Sequence, residues 1–222
     1  KPVATAVVPI SAGRHIYKRE PSFPIAVACD PAFNFVYEAN IRYLHHLGEV
    51  TYFSPLADTS LPDAGFVYLP GGYPELYLAA LSANRQMLQS IRRYVESGGK
   101  LLAECGGMMY LCDEIRDKNG DVYPMAGVLH QSATMENMKL RLGYRTLLYN
   151  ETRLKGHEFH YSRLVEQQNP LPSCAVAYTA KGVETDTPLY HYKNVWAGYT
   201  HLYWADPVGN EWFTKFVIDG NT

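Results

Sequence analysis

Between residues 24 and 104, short apolar runs alternate with amphipathic stretches, and that alternation limits the possible folds sharply. "PIAVACD" (24–30), "EVTYFSP" (49–55), "GFVYLPGG" (65–72) and "KLLAE" (100–104) are brief, apolar and bounded by turn residues, so they read as buried strands. "VYEANIRYLHHLG" (36–48) has helical spacing, with Tyr37, Ile41, Leu44 and His45 on one face and Gly48 as its stop. "SANRQMLQSIRRYVESGG" (82–99) is the strongest helix pattern, its stripe formed by Met87, Leu88, Ile91, Tyr94 and Val95. Buried strands alternating with helices imply an α/β fold, a parallel sheet with helices on both faces. A chain of 222 residues, 47% hydrophobic, can bury such a core as one large domain.

After Leu111 the pattern changes. "MAGVL", "LGYRTLLYN", "GHEFHYSRL", "CAVAYTA" and "VWAGYTHLYW" are strand-like with little helical spacing between them, which predicts antiparallel or mixed strands beside the parallel sheet. "DPVGNEWFTKFVIDG" (206–220) closes the chain as a helix capped by Asp206, with Pro207 in the first turn. Residues 1–24 carry Pro, Gly and basic residues without periodicity and read as a linker or the trailing edge of a preceding domain.

Composition excludes several functions. A net charge of −2 and the lack of basic clusters argue against nucleic acid or a membrane surface as partner. No apolar run is long enough to span a bilayer. Four irregularly spaced cysteines (Cys29, Cys105, Cys112 and Cys174) fit a reducing, cytoplasmic setting better than a disulfide framework.

The chemistry concentrates at "LLAECGGMMYL" (101–111), which reads as strand, tight turn, helix. A nucleophile elbow needs small neighbours so that strand and helix can approach, and Gly106 and Gly107 supply them; Ala103 stands where such elbows usually have glycine. The amides opening the helix favour a thiolate, and that of Gly106 suits an oxyanion. A buried structural cysteine is the competing reading. "YLPGGYPEL" (68–76) is a second strand–glycine corner, and Gly71 or Gly72 would offer the other oxyanion amide. Neither corner has the Lys and Ser/Thr of a phosphate loop. His157, His160 and His201 are all candidate bases, and the residues alone do not choose among them. On a strand, His157 and His160 face opposite sides, so no metal site is expected there.

Taken in order and spacing, "YLPGGYPEL", "AECGGMMYL", "LGYR", "GHEFHYS" and "YTHLYWADP" resemble the glutamine amidotransferase domain of the cobyrinic acid a,c-diamide synthases, in the cobyric and cobyrinic acid synthase branch. The resemblance runs from about Pro24 to the C-terminal helix and implies a class I glutamine amidotransferase-like (flavodoxin-like) fold over residues 25–222. It assigns the nucleophile to Cys105 and the base to His201, with oxyanion amides from Gly72 and Gly106. Glutamine would be hydrolysed through a thioester, and its ammonia would amidate the a and c acetates of cobyrinic acid. No cofactor is expected in this domain; ATP and Mg2+ would act in an N-terminal synthetase domain, through which the corrinoid is met. A homodimer is compatible with this reading.

Two departures stand out. Triad amidotransferases carry Glu two residues after the histidine; here that residue is Tyr203, leaving a Cys-His dyad with no identified orienter. Many relatives have Arg where this chain has Cys29. Glu104, beside the nucleophile, is expected either to fix the loop or to hold glutamine's ammonium group. His157, His160 and Tyr161, with Glu158, are expected to contact glutamine or shape the junction with the synthetase domain. Arg141, Arg145 and Arg163 read as solvated charges. The alternative functions are Ni-sirohydrochlorin a,c-diamide synthesis, a stand-alone cysteine hydrolase of the same fold, and a non-catalytic module.

Overall fold

A computed structural model describes residues 23–219. The linker reading of residues 1–24 falls almost wholly outside the described residues. In chain order the strands are β1 (Pro24–Ala28), β2 (Glu49–Phe53), β3 (Phe66–Leu69), β4 (Lys100–Glu104), β5 (Glu114–Arg116), β6 (Val122–Pro124), β7 (Ser132–Thr134) and β8 (Arg141–Tyr149). They continue with β9 (Thr152–His160), β10 (Arg163–Leu164), β11 (Val176–Thr179), β12 (Glu184–Thr185), β13 (Leu189–Tyr192), β14 (Val195–Gly198) and β15 (His201–Leu202). The helices are α1 (Glu38–Leu47), α2 (Leu78–Ala83), α3 (Arg85–Glu96), α4 (Gly106–Leu111) and α5 (Pro207–Thr214), the last running into a π turn, Lys215–Asp219.

The main sheet has the order β13-β14-β4-β3-β1-β2, parallel except for the β13 edge. β1 lies between β2 and β3, so the chain reverses its direction of travel across the sheet there. This is the doubly wound, flavodoxin-like arrangement, in which ligands bind beyond the carboxyl ends of the strands. Alternation along each strand divides the core. Val67, Leu69, Leu101 and Ala103 face the side covered by Met87, Leu88, Ile91 and Val95 of α3. Phe66, Tyr68 and Leu102 face the other, covered by Leu44 of α1 and Trp212 and Phe213 of α5.

The later strands form two further sheets, β10-β7-β5-β6 and β12-β11-β8-β9-β15. "VWAGYTHLYW", read as one strand, is broken: β14 joins the parallel sheet beside β4, whereas β15 pairs antiparallel with β9. "MAGVL" (125–129) is not a strand. The amides of Ala126, Gly127, Val128 and Leu129 instead donate to the carbonyls of Tyr110, Leu111 and Cys112, satisfying the C-terminal end of α4.

Helix α1 also differs from its expected face. Its buried residues are Asn40 and Leu44, while His45 is exposed. Gly48 is extended rather than left-handed, and glycine is needed because a Cβ there would lie 2.0 Å from the Phe23 carbonyl oxygen. The 82–99 pattern divides into α2 and α3 at Asn84, whose side chain caps α3 by accepting from the Met87 amide.

Candidate active site

The carboxyl ends of β3, β4 and β14 converge on one cleft. β4 runs straight into Cys105, which has φ 48° and ψ −106°, a strained conformation for a non-glycine residue. Its amide donates to the Gly198 carbonyl (2.7 Å), and its carbonyl accepts from the Met109 amide (3.0 Å), so the turn is held from both sides. A Cβ on Gly107 would lie 2.1 Å from the Leu69 carbonyl oxygen, so only glycine lets α4 pack this closely on β3. A Cβ on Gly106 would sit 3.2 Å from the Gly72 amide nitrogen, which brings the two glycine corners side by side.

Two cavities meet at the sulfur. The larger, about 260 Å³, is lined by Phe35, Gly72, Tyr73, Cys105, His157, Phe159 and His201. A narrower gap of about 20 Å³ is bordered by Glu75, Met109, His160, Tyr161 and Ser162, and again by Cys105. The thiol donates a long bond to the Phe159 carbonyl (3.7 Å). Burial, reinforced by the carboxylates of Glu75, Glu104 and Glu158 and opposed by the Gly106 amide, pushes the thiol up to about 12.

His201 reaches the same cleft from the antiparallel side. β15 pairs His201 with His157 of β9, and Gly156 lets the strands close because a Cβ there would lie 2.4 Å from the His201 carbonyl oxygen. The imidazole rests on Gly71, where a Cβ would lie 2.1 Å from its Cε1, and its ring centre is 4.3 Å from that of Phe35. Burial, with the neighbouring His157 and His160, pushes its titration down to about 3. The imidazole is therefore uncharged at neutral pH.

The expected residues fall into two groups. Cys105, His201, His157 and Gly72 share the larger cavity. Gly71 contributes by seating the imidazole, and Gly106 by its amide, which favours the thiolate. His160 and Tyr161 border the narrow gap. The His160 ring bonds the Glu158 carboxylate (2.8 Å) and the Ser162 carbonyl (2.7 Å) and stacks on Tyr199.

Glu104 lines neither cavity. It is 1% exposed, with its carboxylate turned to Tyr68 and Leu202 rather than toward the expected glutamine ammonium group. One oxygen accepts from the Tyr68 hydroxyl (2.7 Å) and the other from the Leu202 amide (3.0 Å). Arg145 is not a solvated charge either; it pairs with buried Glu158, whereas Arg141 pairs at the surface with Asp186. Cys29 is exposed at the end of β1, away from both cavities.

Two residues were missed in the sequence. Asn40 donates to the Leu202 carbonyl (2.8 Å) and accepts from the Trp204 amide (3.0 Å), pinning the strand that carries His201. Glu75 supplies an acidic side chain in the narrow gap, its carboxyl raised by burial. The adjoining "GGYP" corner was the available signal for Glu75. Nothing local marked Asn40. Among the described residues no group of three or more His, Cys, Asp or Glu could hold a metal, and no helix is long and apolar enough to cross a membrane.

Residues 24–208 match the model of the CobB/CobQ-like glutamine amidotransferase domain. The chain is 40% identical over 185 residues to a hydrogenobyrinate a,c-diamide synthase from Pseudomonas aeruginosa, an alignment covering 81% of this chain and 41% of that protein. It is equally identical over 188 residues to a cobyrinate a,c-diamide synthase from Fusobacterium nucleatum, with the same shares covered. The chain thus spans about two-fifths of the length of these relatives. Among solved structures it resembles PurLQS from Thermotoga maritima (TM-score 0.56, 16% identity, 89% of this chain and 96% of that one). It also resembles a glutamine amidotransferase from the same organism (TM-score 0.53, 12% identity, 89% and 83%). At such identities these likenesses concern the fold alone.

Proposed function

Because the chain belongs to the CobB/CobQ-like glutamine amidotransferase domain family, we propose that it hydrolyses glutamine at Cys105 and supplies ammonia for amidation of the a and c acetates of cobyrinate or hydrogenobyrinate. The observation that carries the reading is the strained Cys105 at a strand end, sharing one cleft with a buried, neutral His201. His201 takes the Cys105 proton as the thiolate attacks the carboxamide carbon of glutamine. The Gly72 and Gly106 amides stabilise the oxyanion. His201 then protonates the leaving nitrogen, ammonia departs and a thioester remains. Water attacks the thioester, glutamate leaves, and the thiol recovers its proton. Glu75, rather than Glu104, is the carboxylate suited to the glutamine ammonium group, with Tyr73 and Tyr161 closing over the substrate.

In this proposal a synthetase domain outside the described residues would hold the ATP and Mg2+ that supply activation of the acetate carboxylates, and the work would be done in the cytoplasm. The test uses the whole protein. Cys105→Ala is expected to abolish glutamine-dependent amidation, by about 10⁴-fold or more, while added ammonia still supports it. Glutamine-dependent turnover near the wild-type rate in that variant would rule the assignment out. Product analysis with each tetrapyrrole, Ni-sirohydrochlorin included, identifies the acceptor.

A further inference from the structure

The imidazole of His201 is buried, and its Nδ1 makes no hydrogen bond within the protein. A catalytic histidine needs that nitrogen held, so that the ring keeps one tautomer and one orientation. The residue two positions on, Tyr203, has no carboxylate; its ring lies against Tyr37 at the surface. The carboxylate oxygen nearest to His201 Nδ1 is instead Oε2 of Glu104, at 3.9 Å. Glu104 is 1% exposed and already held by Tyr68 and the Leu202 amide, so it is fixed in place beneath the ring. The Leu202 bond matters doubly, because Leu202 follows His201 in β15 and registers that strand against the carboxylate.

We infer that Glu104, braced by Tyr68, is the positioning residue that orients His201, reaching it from the strand before the nucleophile rather than from the segment after the histidine. The inference rests on the reading of Cys105 and His201 as nucleophile and base. A ring movement of about 1 Å closes the remaining gap, and catalytic hydrogen bonds commonly tighten when substrate binds. Nδ1–H then faces Glu104, and Nε2 is bare toward the sulfur. When Nε2 takes the Cys105 proton, the imidazolium sits beside a carboxylate that offsets its charge. Glu104 ends β4 with its carboxylate buried against Tyr68 and Leu202, while Cys105, the next residue, lines the cleft.

The pH profile separates positioning from a merely structural role. The titratable groups facing Glu104 are Tyr68 from β3, Tyr37 ahead of α1, His201 from β15 and Cys105 next in the chain. Tyr68 is raised well above its ordinary range, Tyr37 and Cys105 are each raised to about 12, and His201 lies near 3. Burial raises Glu104 to about 8, against hydrogen bonds from Tyr68 and the Leu202 amide that lower it. Ionised Glu104 is the effective form, so kcat is expected to climb with pH through about 8.

Glu104→Gln, measured in the whole protein, is expected to lower kcat for glutamine hydrolysis by about 10²- to 10⁴-fold, to leave KM within about threefold, and to abolish that alkaline rise. A kcat within threefold of wild type, or an unchanged alkaline rise in the variant, overturns the inference. If the variant does not fold, the wild-type protein decides: ¹⁵N shifts of the His201 ring at pH 9 should show Nδ1 protonated and Nε2 bare, and the opposite tautomer overturns it. Cys105→Ala is assayed alongside. An inactive Cys105→Ala with a fully active Glu104→Gln refutes only the role of Glu104, whereas an active Cys105→Ala refutes the reading beneath it.

Discussion

Cys105 and His201 meet in one cleft but are held by opposite means. Cys105 stands on its own local structure: a parallel strand, a strained turn and a helix packed hard against β3 through Gly107. His201 has almost no local support. β15 is two residues long, and contacts distant in sequence hold it: Asn40 of α1, Gly156 of β9, and Gly71 and Phe35 against the ring. Disturbing the first scaffold should therefore cost stability and activity together. Disturbing the second should cost mainly catalysis.

Gly107→Ala tests the first half of that contrast. The new methyl would collide with the Leu69 carbonyl, a backbone atom that cannot step aside. A loss of about 3 kcal/mol is expected, seen as a fall in Tm of roughly 6–12 °C, together with loss of glutaminase activity. Gly71→Ala tests the second half. The atoms nearest its methyl would be those of the His201 ring, a side chain rather than backbone. Tm should move by less than about 2 °C, while kcat falls about 10²-fold, as expected for a reacting group displaced by around 1 Å. A large fall in Tm in this variant would erase the distinction.

Asn40→Ala falls between the two. It strands the buried Leu202 carbonyl and Trp204 amide, at a cost of about 2 kcal/mol by thermal or chemical unfolding. The pH dependence of stability has opposite signs for the buried His201 and the buried Glu104. His201 titrates near 6.5 unfolded and near 3 folded, so below about 6.5 the unfolded chain binds a proton that the native protein excludes, and stability falls with acidification. Glu104 titrates near 4.5 unfolded and near 8 folded, so between these values the native protein keeps a proton the unfolded chain has released, and stability falls as pH rises. Each slope approaches about 1.4 kcal/mol per pH unit. They cancel between about pH 4.5 and 6.5. Urea melts across pH should lose the acid slope in His201→Gln and the alkaline slope in Glu104→Gln.

The same contrast governs what could be read from the sequence. "KLLAECGG" announces a strand, a corner and a helix within eight residues, so the turn at Cys105 was legible from local rules. His201 was not, because its partnership with Cys105 spans 96 positions and three histidines fitted equally well until the resemblance chose one. Glu104 was noticed for its place beside the nucleophile, yet adjacency along a strand means opposite faces, and its true neighbours are Tyr68 and Leu202. Asn40 looked like one more polar residue on an amphipathic helix; only the arrival of β15 turns it inward. "MAGVL" misled because an apolar run records burial without recording whether its amides pair with a strand or with the end of a helix.

The uncharged resting pair has a consequence for the durability of the enzyme. A thiol whose titration burial pushes up to about 12 is far less ionised at neutral pH than an ordinary cysteine. The thiolate is the form that attacks peroxides and disulfides, so an idle Cys105, its proton held toward the Phe159 carbonyl, is slow to enter the oxidation ladder that ends in sulfinic and sulfonic acids.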